Sequence, residues 1–357
     1  MPAPLSCPVP PPPRAIARLL LAATMMLIAI GLLSPDPPTT RPAATAASGD
    51  AALYRAIDRR VAAGQHYYAA TAAEHRTRDF PLRPFVAVRL PTRAWFYRLV
   101  GAEGALWVLR ALALLAALAT ACRLRAAVGP RLLWGAASAI AAASSLPLAT
   151  AVVALWPECW AGLLVALSLA SRDRHHWRVA ALLGLAAALF RELALPYLVA
   201  MAFAAALERR RGEALGWAAV ATAAVAALAV HASAVAAILR PGDAVSQGWI
   251  RAGGWSFDLA MAGATTPLAL APTAIVAVLV PLALYGWASA PGGYARRVTL
   301  TLVTLLLPTL LIGRPENSYW GLMLAPVWLA GLPLAFTAMV RAIAPAATAT
   351  RQLAVAC

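Results

Sequence analysis

The sequence predicts an all-α polytopic membrane bundle of about ten transmembrane helices, within a range of roughly eight to twelve, and one large extracytoplasmic first loop. Hydrophobic residues make up 62% of the 357-residue chain and charged residues only 12%, whereas soluble domains are typically about 45–50% apolar and about 25% charged. The apolar residues form runs close to the ~20 residues that a spanning helix needs. One long stretch, 35–103, is far less hydrophobic and predicts the loop. These features exclude a soluble globular, disordered or small disulfide-bonded protein.

The apolar runs set the order of the helices. The first run, Ala15–Ser34, is long enough to span if Arg18 extends its side chain to the interface. We interpret it as an uncleaved signal anchor, with cleavage at the small residues Ala43–Ser48 as the alternative. The pair Arg191-Glu192 interrupts a later stretch, which is either two short helices or one interrupted element. After the first, the predicted spans are 104–122, 132–150, 152–170, 179–190, 193–207, 214–239, 261–287, 298–313 and 319–340.

The placement of arginine predicts the orientation of the chain. All 30 basic residues are Arg, and the formal net charge is +16. The short loops on the same side as the N-terminus carry 15 of them and the short opposite loops carry four, so the positive-inside rule makes the N-terminus cytoplasmic. Because these Arg residues flank apolar runs, they indicate membrane anchoring and no nucleic-acid partner. The predicted parts are a cytoplasmic N-terminus with the first helix (1–34), an extracytoplasmic loop (35–103), the remaining bundle (104–340) and a cytoplasmic tail (341–357).

The first loop contains the leading catalytic candidate, Asp50. Four prolines between positions 35 and 42 predict an extended start of the loop. Asp50 then precedes a helix predicted over Ala51–Ala63, with the substrate-binding candidate Tyr54 one turn further on. A carboxylate near the membrane surface can act as a general base on an acceptor hydroxyl. The structural alternative is that Asp50 is only the N-cap of that helix.

A second short helix, predicted over Tyr67–His75, is rich in aromatic and ionisable groups. Its rings can stack on a sugar, although an ordinary interfacial helix would have the same composition. Glu74 joins Asp50 as a catalytic candidate. The substrate-binding candidates from this part of the loop are His66, Tyr67, His75, Arg76 and Arg83.

Two further clusters lie at predicted outer ends of spans. One is the charged pair between the runs 179–190 and 193–207, where charge is costly and marks a functional site by default. The other is the short polar loop Gly313–Trp320. Arg suits phosphate recognition because its planar fork donates two parallel hydrogen bonds, while a solvated turn is the structural alternative in both places. The substrate-binding candidates here are Arg191, Glu192, Arg314, Asn317 and Tyr319.

The sequence contains no P-loop, no GxGxxG and no HExxH motif, so nothing in it predicts nucleotide binding or a zinc-protease site. Its four Cys residues lack CxxC spacing and are interpreted as incidental. We predict no firm cofactor. A divalent cation, Mg²⁺ or Mn²⁺, is left open, and its ligands are unknown.

Four longer motifs carry a family resemblance. They are HYYAATAAEHR (66–76), FPLRPFVAVRLPTRAW (80–95), FRELALPY (190–197) and GRPENSYWG (313–321). With one span followed by Gly49-Asp50 and a large outer loop, the chain resembles the GT-C superfamily of polytopic glycosyltransferases, and within it a bacterial family assigned to cell-surface glycopolymer formation. The resemblance extends over most of the chain. The chain departs from many GT-C enzymes in lacking two neighbouring acids in the first loop.

The resemblance implies a hexosyl- or pentosyltransferase in the bacterial inner (cytoplasmic) membrane, with the first loop in the periplasm. Its partners would be a polyprenyl-phosphate-linked sugar donor, a glycan or lipid-linked acceptor and the lipid bilayer. Asp50 corresponds to the first-loop acid and would take the proton of the acceptor hydroxyl in an inverting displacement. Arg191 or Arg314 would stabilise the leaving phosphate. Whether Glu74 or Asp79 shares the role of base, or binds a divalent cation, is open.

Other functions fit the same hydropathy. A multi-pass transporter or lipid-linked sugar flippase would show inverted repeats and ionisable residues near the middle of the membrane. In this sequence most polar residues lie at the outer ends of predicted spans. A polymerase or ligase of surface glycans would, as a class, carry its large outer loop late in the chain. A non-catalytic subunit of glycopolymer assembly would tolerate the loss of Asp50, whereas the catalyst would not.

Overall fold

The computed structural model describes residues 11–34, 44–127, 131–173, 175–248 and 250–343. Within these ranges the chain forms α-helices and short 3₁₀ segments and contains no β-strand, which confirms the predicted all-α class. Residues 35–43, which include the prolines of the first loop, and all but the first three residues of the predicted tail 341–357 lie outside the described part.

The α-helices of the described residues follow the predicted order. The bounds are α1 Arg14–Leu33, α2 Ala44–Ala62, α3 Tyr67–Thr77, α4 Thr92–Ala127, α5 Arg131–Ser145, α6 Pro157–Ser171, α7 Trp177–Phe190, α8 Leu195–Leu207, α9 Arg211–Ile238, α10 Gly254–Thr265, α11 Thr273–Ser289, α12 Gly293–Thr309, α13 Ala325–Trp328 and α14 Leu332–Ile343.

Four helical stretches are long and apolar enough to cross a membrane: Arg14–Leu33, Phe85–Arg125, Arg211–Ile238 and Ala325–Ile343. Several shorter apolar helices accompany them, so the chain has the helices of a membrane protein. The count of about ten spans stays a prediction. α4 begins before the predicted span 104–122, and it is kinked at Gly101, whose φ of 73° suits glycine.

The first loop folds as two packed helices. α3 matches the helix predicted over Tyr67–His75. The predicted N-cap role of Asp50 is wrong, because α2 begins at Ala44 and Asp50 lies inside it. The apolar core shared by α2, α3 and the following chain includes Leu53, Ile57, Val61, Tyr67, Tyr68 and Leu82.

The sequence predicts either two short helices or one interrupted element over 179–207, and the structure shows two short helices. α7 ends at Phe190, and Arg191 has an extended backbone with φ −149° and ψ 115°. Helix resumes as a 3₁₀ turn at Glu192 and continues as α8 from Leu195. The charged pair therefore lies at a junction between helices.

The prediction of one continuous span over 261–287 is wrong. α10 ends at Thr265, and α11 begins only at Thr273. Pro267 and Pro272 lack the backbone N–H that a continuing helix requires. The Thr266 side chain instead accepts a hydrogen bond from the backbone N–H of Leu268 and begins a 3₁₀ turn.

The predicted span 319–340 overlaps the apolar helical stretch Ala325–Ile343, and its predicted start is wrong. Its first part belongs to a 3₁₀ segment, Pro315–Met323, and α-helix follows in α13 and α14. The chain packs tightly against α11 between these two helices, since a Cβ at Gly331 would lie 2.1 Å from the carbonyl oxygen of Ala283. Glycine permits this close approach.

Arginine side chains predicted on the cytoplasmic side gather at one end of the bundle, which we call the basic end. Arg172 forms ion pairs with Glu208 (3.2 Å) and Glu213, and Arg296 pairs with Glu208 at 2.7 Å. α9 starts at Arg211 beside this network and runs for 28 residues, which is about 42 Å. Its C-terminus therefore lies at the opposite end, where the first loop packs.

A buried ion pair joins the first loop to the bundle. Both Nη atoms of Arg93, on α4, donate hydrogen bonds to the Asp58 carboxylate on α2, at 2.7 and 2.8 Å. The guanidinium also lies over the rings of Tyr54 and Tyr97, at 5.3 and 5.0 Å from their centroids. This two-pronged contact sets the position of α2, and with it the position of Asp50.

Asp58→Asn should destabilise the protein by about 3 kcal/mol, because it leaves the Arg93 charge buried without its partner. Thermal unfolding of the purified protein in detergent measures this change. Glu103→Gln, which alters an exposed carboxylate of α4, is the control and should leave the midpoint unchanged. An Asp58→Asn midpoint equal to that of the wild type would contradict the assigned role of the pair.

Candidate functional site

A pocket of about 660 Å³ lies at the end opposite the basic end, a volume typical of sites for small ligands. Five segments distant in sequence meet there: α2, the chain after α3, the α7–α8 junction, the loop after α9 and the loop after α12. The sequence-predicted residues that line it are Asp50, Tyr54, His75, Arg191, Glu192, Arg314, Asn317 and Tyr319.

Asp50 reaches the pocket because of its place on α2. Leu53 and Tyr54 follow it at helical spacings of three and four and line the same pocket. Burial raises the pKa of the Asp50 carboxyl above its usual value; the charge of Arg89 offsets part of this shift, and the charge of Glu158 adds to it. No hydrogen bond or ion pair within the described residues holds this carboxylate. Asp50 is thus a half-buried carboxylate available to a ligand.

Arg89 is the main pocket residue that sequence reasoning missed. Its Nε donates to the Tyr54 hydroxyl at 3.0 Å and its Nη2 to the Tyr319 hydroxyl at 2.9 Å. The Tyr67 hydroxyl donates to the backbone carbonyl of Arg89 at 2.7 Å and holds the chain in place. The available signal was an Arg inside an apolar run, between Val88 and Leu90, in one of the motifs that carry the family resemblance.

A buried ion-pair network lies at the inner wall of the pocket. Arg191 is 2% exposed, and its Nε lies 2.7 Å from Oε1 of Glu158, without hydrogen-bond alignment. Its Nη1 also contacts the Glu192 carboxylate. Glu158 is fully buried at the start of α6, and in sequence it shows only as an isolated acid. Two carboxylates therefore offset the positive charge of Arg191.

Arg314 joins the two outer loops of the pocket. Its Nη2 donates to the side-chain oxygen of Gln247 at 2.5 Å and its Nη1 to the carbonyl of Gly248 at 3.1 Å. Its Nε lies 3.5 Å from a carboxylate oxygen of Glu316. Arg314 therefore links the loop after α9 to the loop after α12.

His75 is a neutral side chain in the wall of the pocket. Its Nδ1 lies 3.0 Å from the carbonyl oxygen of Pro81, which can only accept a hydrogen bond. Burial lowers the pKa of His75 to about 4, although the Pro81 contact counteracts this in part. With Nδ1 protonated as the donor, Nε2 is left as a hydrogen-bond acceptor.

Five sequence-predicted residues do not line the pocket. Glu74 is held by ion pairs with Arg60 and Arg78. Arg76 binds both carboxylate oxygens of Asp243, at 2.7 and 2.8 Å. The other three are Tyr67, which supports the backbone of Arg89, and His66 and Arg83, which are exposed at the surface.

The pocket brings acids and cations together without forming a clear metal site. Across the described ranges, no three His, Cys, Asp or Glu side chains are grouped as metal ligands, so the divalent cation stays a prediction. The pocket offers the carboxylates of half-buried Asp50 and exposed Asp79, which form no ion pair within the described residues. It also offers three guanidinium groups and the rings of Tyr54, Tyr319 and Trp320. Such a set can accept a proton, bind an anion and pack against a sugar ring.

The chain matches no family model, and it matches neither a curated protein nor a solved structure. The family resemblance described above therefore depends on its four motifs and on the position of Asp50.

Asp50→Asn should raise the thermal midpoint at pH 7, because it removes a charge that burial penalises. When folding raises the pKa of a carboxyl group, the protein loses stability as the pH rises from the pKa of the unfolded state, near 3.8 for Asp, through the higher pKa of the folded state. The gain over wild type should therefore shrink on acidification towards pH 4. A midpoint that falls at pH 7 would contradict the assigned environment of Asp50.

Proposed function

We propose that the protein is an inverting membrane glycosyltransferase that moves a sugar from a polyprenyl-phosphate carrier to an extracytoplasmic acceptor in cell-surface glycan assembly. The observation that supports this most directly is the pocket itself, where Asp50 is a half-buried carboxylate without an ion-pair partner in the described residues, among cationic and aromatic side chains. Asp79, the other unpaired carboxylate of the lining, is exposed. A structural carboxylate in such a place would normally be paired, as Asp58 is with Arg93.

The reaction balances with the groups present. The acceptor oxygen attacks the anomeric carbon as its proton passes to Asp50, which the raised pKa makes a stronger base. The bond from that carbon to the phosphate oxygen breaks, and its electron pair leaves with the polyprenyl phosphate. Attack from the face opposite the leaving group inverts the anomeric configuration. Guanidinium groups of the pocket stabilise the negative charge that develops on the phosphate.

The lengths of α7 and α8 favour a lipid-linked substrate. They contain 14 and 13 residues, about 21 and 20 Å, less than the ~30 Å of the hydrocarbon core. α7 begins at the basic end and α8 returns to it. Their junction at Arg191 would therefore lie within the depth of the membrane. A phosphate at the head of a membrane-anchored carrier could reach that depth, whereas a soluble nucleotide sugar would have to leave the aqueous phase.

In the proposed orientation the basic end is cytoplasmic and the pocket faces the periplasm across the bacterial inner membrane. Arg59 and Arg211 are exposed near opposite ends. In a variant without native cysteines, Arg59→Cys should react with a membrane-impermeant maleimide on intact spheroplasts. Arg211→Cys should react only after permeabilisation, and the reverse pattern would overturn the orientation.

A transporter or lipid-linked sugar flippase is the second candidate. One observation favours it: the α7–α8 break places Arg191 and Glu192 beside the buried Glu158, and broken helices with ionisable residues are typical of transporters. A non-catalytic assembly subunit is a third reading. Neither role requires a proton acceptor at Asp50.

The glycan composition of the cell surface separates these roles. Wild type, a deletion strain, Asp50→Asn, Glu74→Gln and Glu103→Gln would be compared at equal membrane levels, confirmed by immunoblot. We expect Asp50→Asn to lose the same sugar or polymer as the deletion, since removing a general base costs about 10²- to 10⁴-fold in rate.

Glu74→Gln and Glu103→Gln should retain the glycan, because neither carboxylate lines the pocket. If the deletion loses the glycan and Asp50→Asn keeps it, the catalytic proposal fails and the role of a non-catalytic assembly subunit is supported. If the deletion changes no glycan, transport of another substrate becomes the leading function.

A further inference from the structure

The three guanidinium groups of the pocket differ in how their charge is compensated. Arg191 contacts two carboxylates, and Arg314 contacts one carboxylate and two further oxygens. Arg89 forms no ion pair in the described part of the chain and donates only to the neutral hydroxyls of Tyr54 and Tyr319. Arg89 is therefore the pocket cation that no carboxylate contacts directly, although the charges of Glu158 and Glu192 act on it from a distance.

The two tyrosines also have hydrogen-bond donors to spare. Each hydroxyl accepts a hydrogen bond from Arg89, and that of Tyr319 accepts a second from Nδ2 of Asn317 at 3.3 Å. Their own O–H protons have no acceptor among the described residues. Burial raises the pKa of Tyr54, so this phenol keeps its proton. One cation and two hydroxyl groups thus form a single hydrogen-bonded cluster in the lining of the pocket.

Surrounding side chains hold this group in position. The ring of Trp156 packs against Tyr319, with centroids 4.6 Å apart, and meets the edge of Tyr54 at 5.9 Å. Tyr67 anchors the backbone of Arg89. Donors held in place before the ligand binds lose little freedom on binding, which favours affinity.

We propose that Arg89, Tyr54 and Tyr319 form a binding site for a tetrahedral oxyanion, namely a phosphate monoester. The assignment rests on the proposed function for its biological ligand, the phosphate of the polyprenyl carrier. It differs from the sequence-based expectation, which gave that role to Arg191 or Arg314. Those two residues hold the inner wall and the outer loops together, while Arg89 binds the phosphate.

Binding of farnesyl phosphate to the purified protein in nanodiscs tests this site independently of turnover. Arg89→Gln should weaken binding on the order of 10- to 100-fold, as expected for the loss of charged hydrogen bonds. Tyr54→Phe and Tyr319→Phe keep the rings and should each weaken it about 3- to 10-fold. Arg89→Lys keeps the charge without the fork and should fall between wild type and Arg89→Gln.

Matched controls lie outside the pocket. Tyr97→Phe removes a hydroxyl that donates to the carbonyl of Ala154, and Arg98→Gln removes an exposed charge of α4. Both should bind farnesyl phosphate as the wild type does. Equal thermal midpoints before ligand addition would show that each variant is folded. If Arg89→Gln unfolds, Arg89→Lys and the two Tyr→Phe variants decide the outcome.

Competition distinguishes a phosphate site from a carboxylate site. Inorganic phosphate should displace farnesyl phosphate more effectively than glucuronate does, whereas better displacement by glucuronate would assign the site to a sugar carboxylate and overturn the proposal. Unchanged binding by folded Arg89→Gln, or by both Tyr→Phe variants, would also overturn it.

The failure of this proposal is distinguishable from the failure of the proposed function. Asp50→Asn removes a neighbouring negative charge and should bind farnesyl phosphate at least as tightly as the wild type. If Arg89→Gln loses binding while Asp50→Asn leaves the surface glycan intact, the proposal of a phosphate site is supported and the proposed glycosyltransferase function fails. If Asp50→Asn abolishes the glycan while folded Arg89→Gln binds farnesyl phosphate normally, the proposed function is supported and the proposal of a phosphate site fails.

Discussion

A charge buried in an apolar bundle must be paired, because an unpaired one costs several kcal/mol, and this constraint organises both polar regions of the protein. At the basic end the fully buried Arg172 is held by two glutamates. At the opposite end Arg191 contacts Glu158 and Glu192, and Arg93 binds Asp58. The helices cross between these two regions. The pairing fixes which ends meet, and so which side chains face the pocket.

Asp50 and Arg89 depart from this rule. Neither forms an ion pair within the described residues, although both line the same pocket and the Arg89 charge lowers the pKa of Asp50 in part. Arg93, Arg172 and Arg191 are paired, whereas these two pocket groups have no direct ion-pair partner, which costs stability. In the proposed function a ligand uses both groups: the carboxylate would accept a proton, and the cation would bind an anion. The aromatic rings between them add a surface for a sugar.

Eight of the thirteen site residues predicted from the sequence line one pocket, whereas the predicted course of the helices differs from the structure in two places. The charged junction at Arg191 and the polar loop containing Arg314 stand out because charge among apolar runs is costly, and both line the pocket together with Asp50. The break within 261–287 was missed because hydropathy does not distinguish a continuous helix from two segments divided by proline. Arg89 was missed although it stands inside an apolar run, and Glu158 was missed because only the fold brings it to Arg191. The sequence contained a sign that Glu74 is paired: Arg78 follows it at a spacing of four, which allows an ion pair on the same face of a helix.

The most direct test of the account is the release of polyprenyl phosphate in proteoliposomes that contain the purified protein and the lipid-linked sugars of the deletion strain. We predict that wild-type protein releases polyprenyl phosphate when acceptor glycan is present, and that folded Asp50→Asn does so at least about 100-fold more slowly. Equal release by the two proteins would show that Asp50 is not the base. Release by neither, with donor and acceptor both present, would contradict the assignment of the pocket to glycosyl transfer.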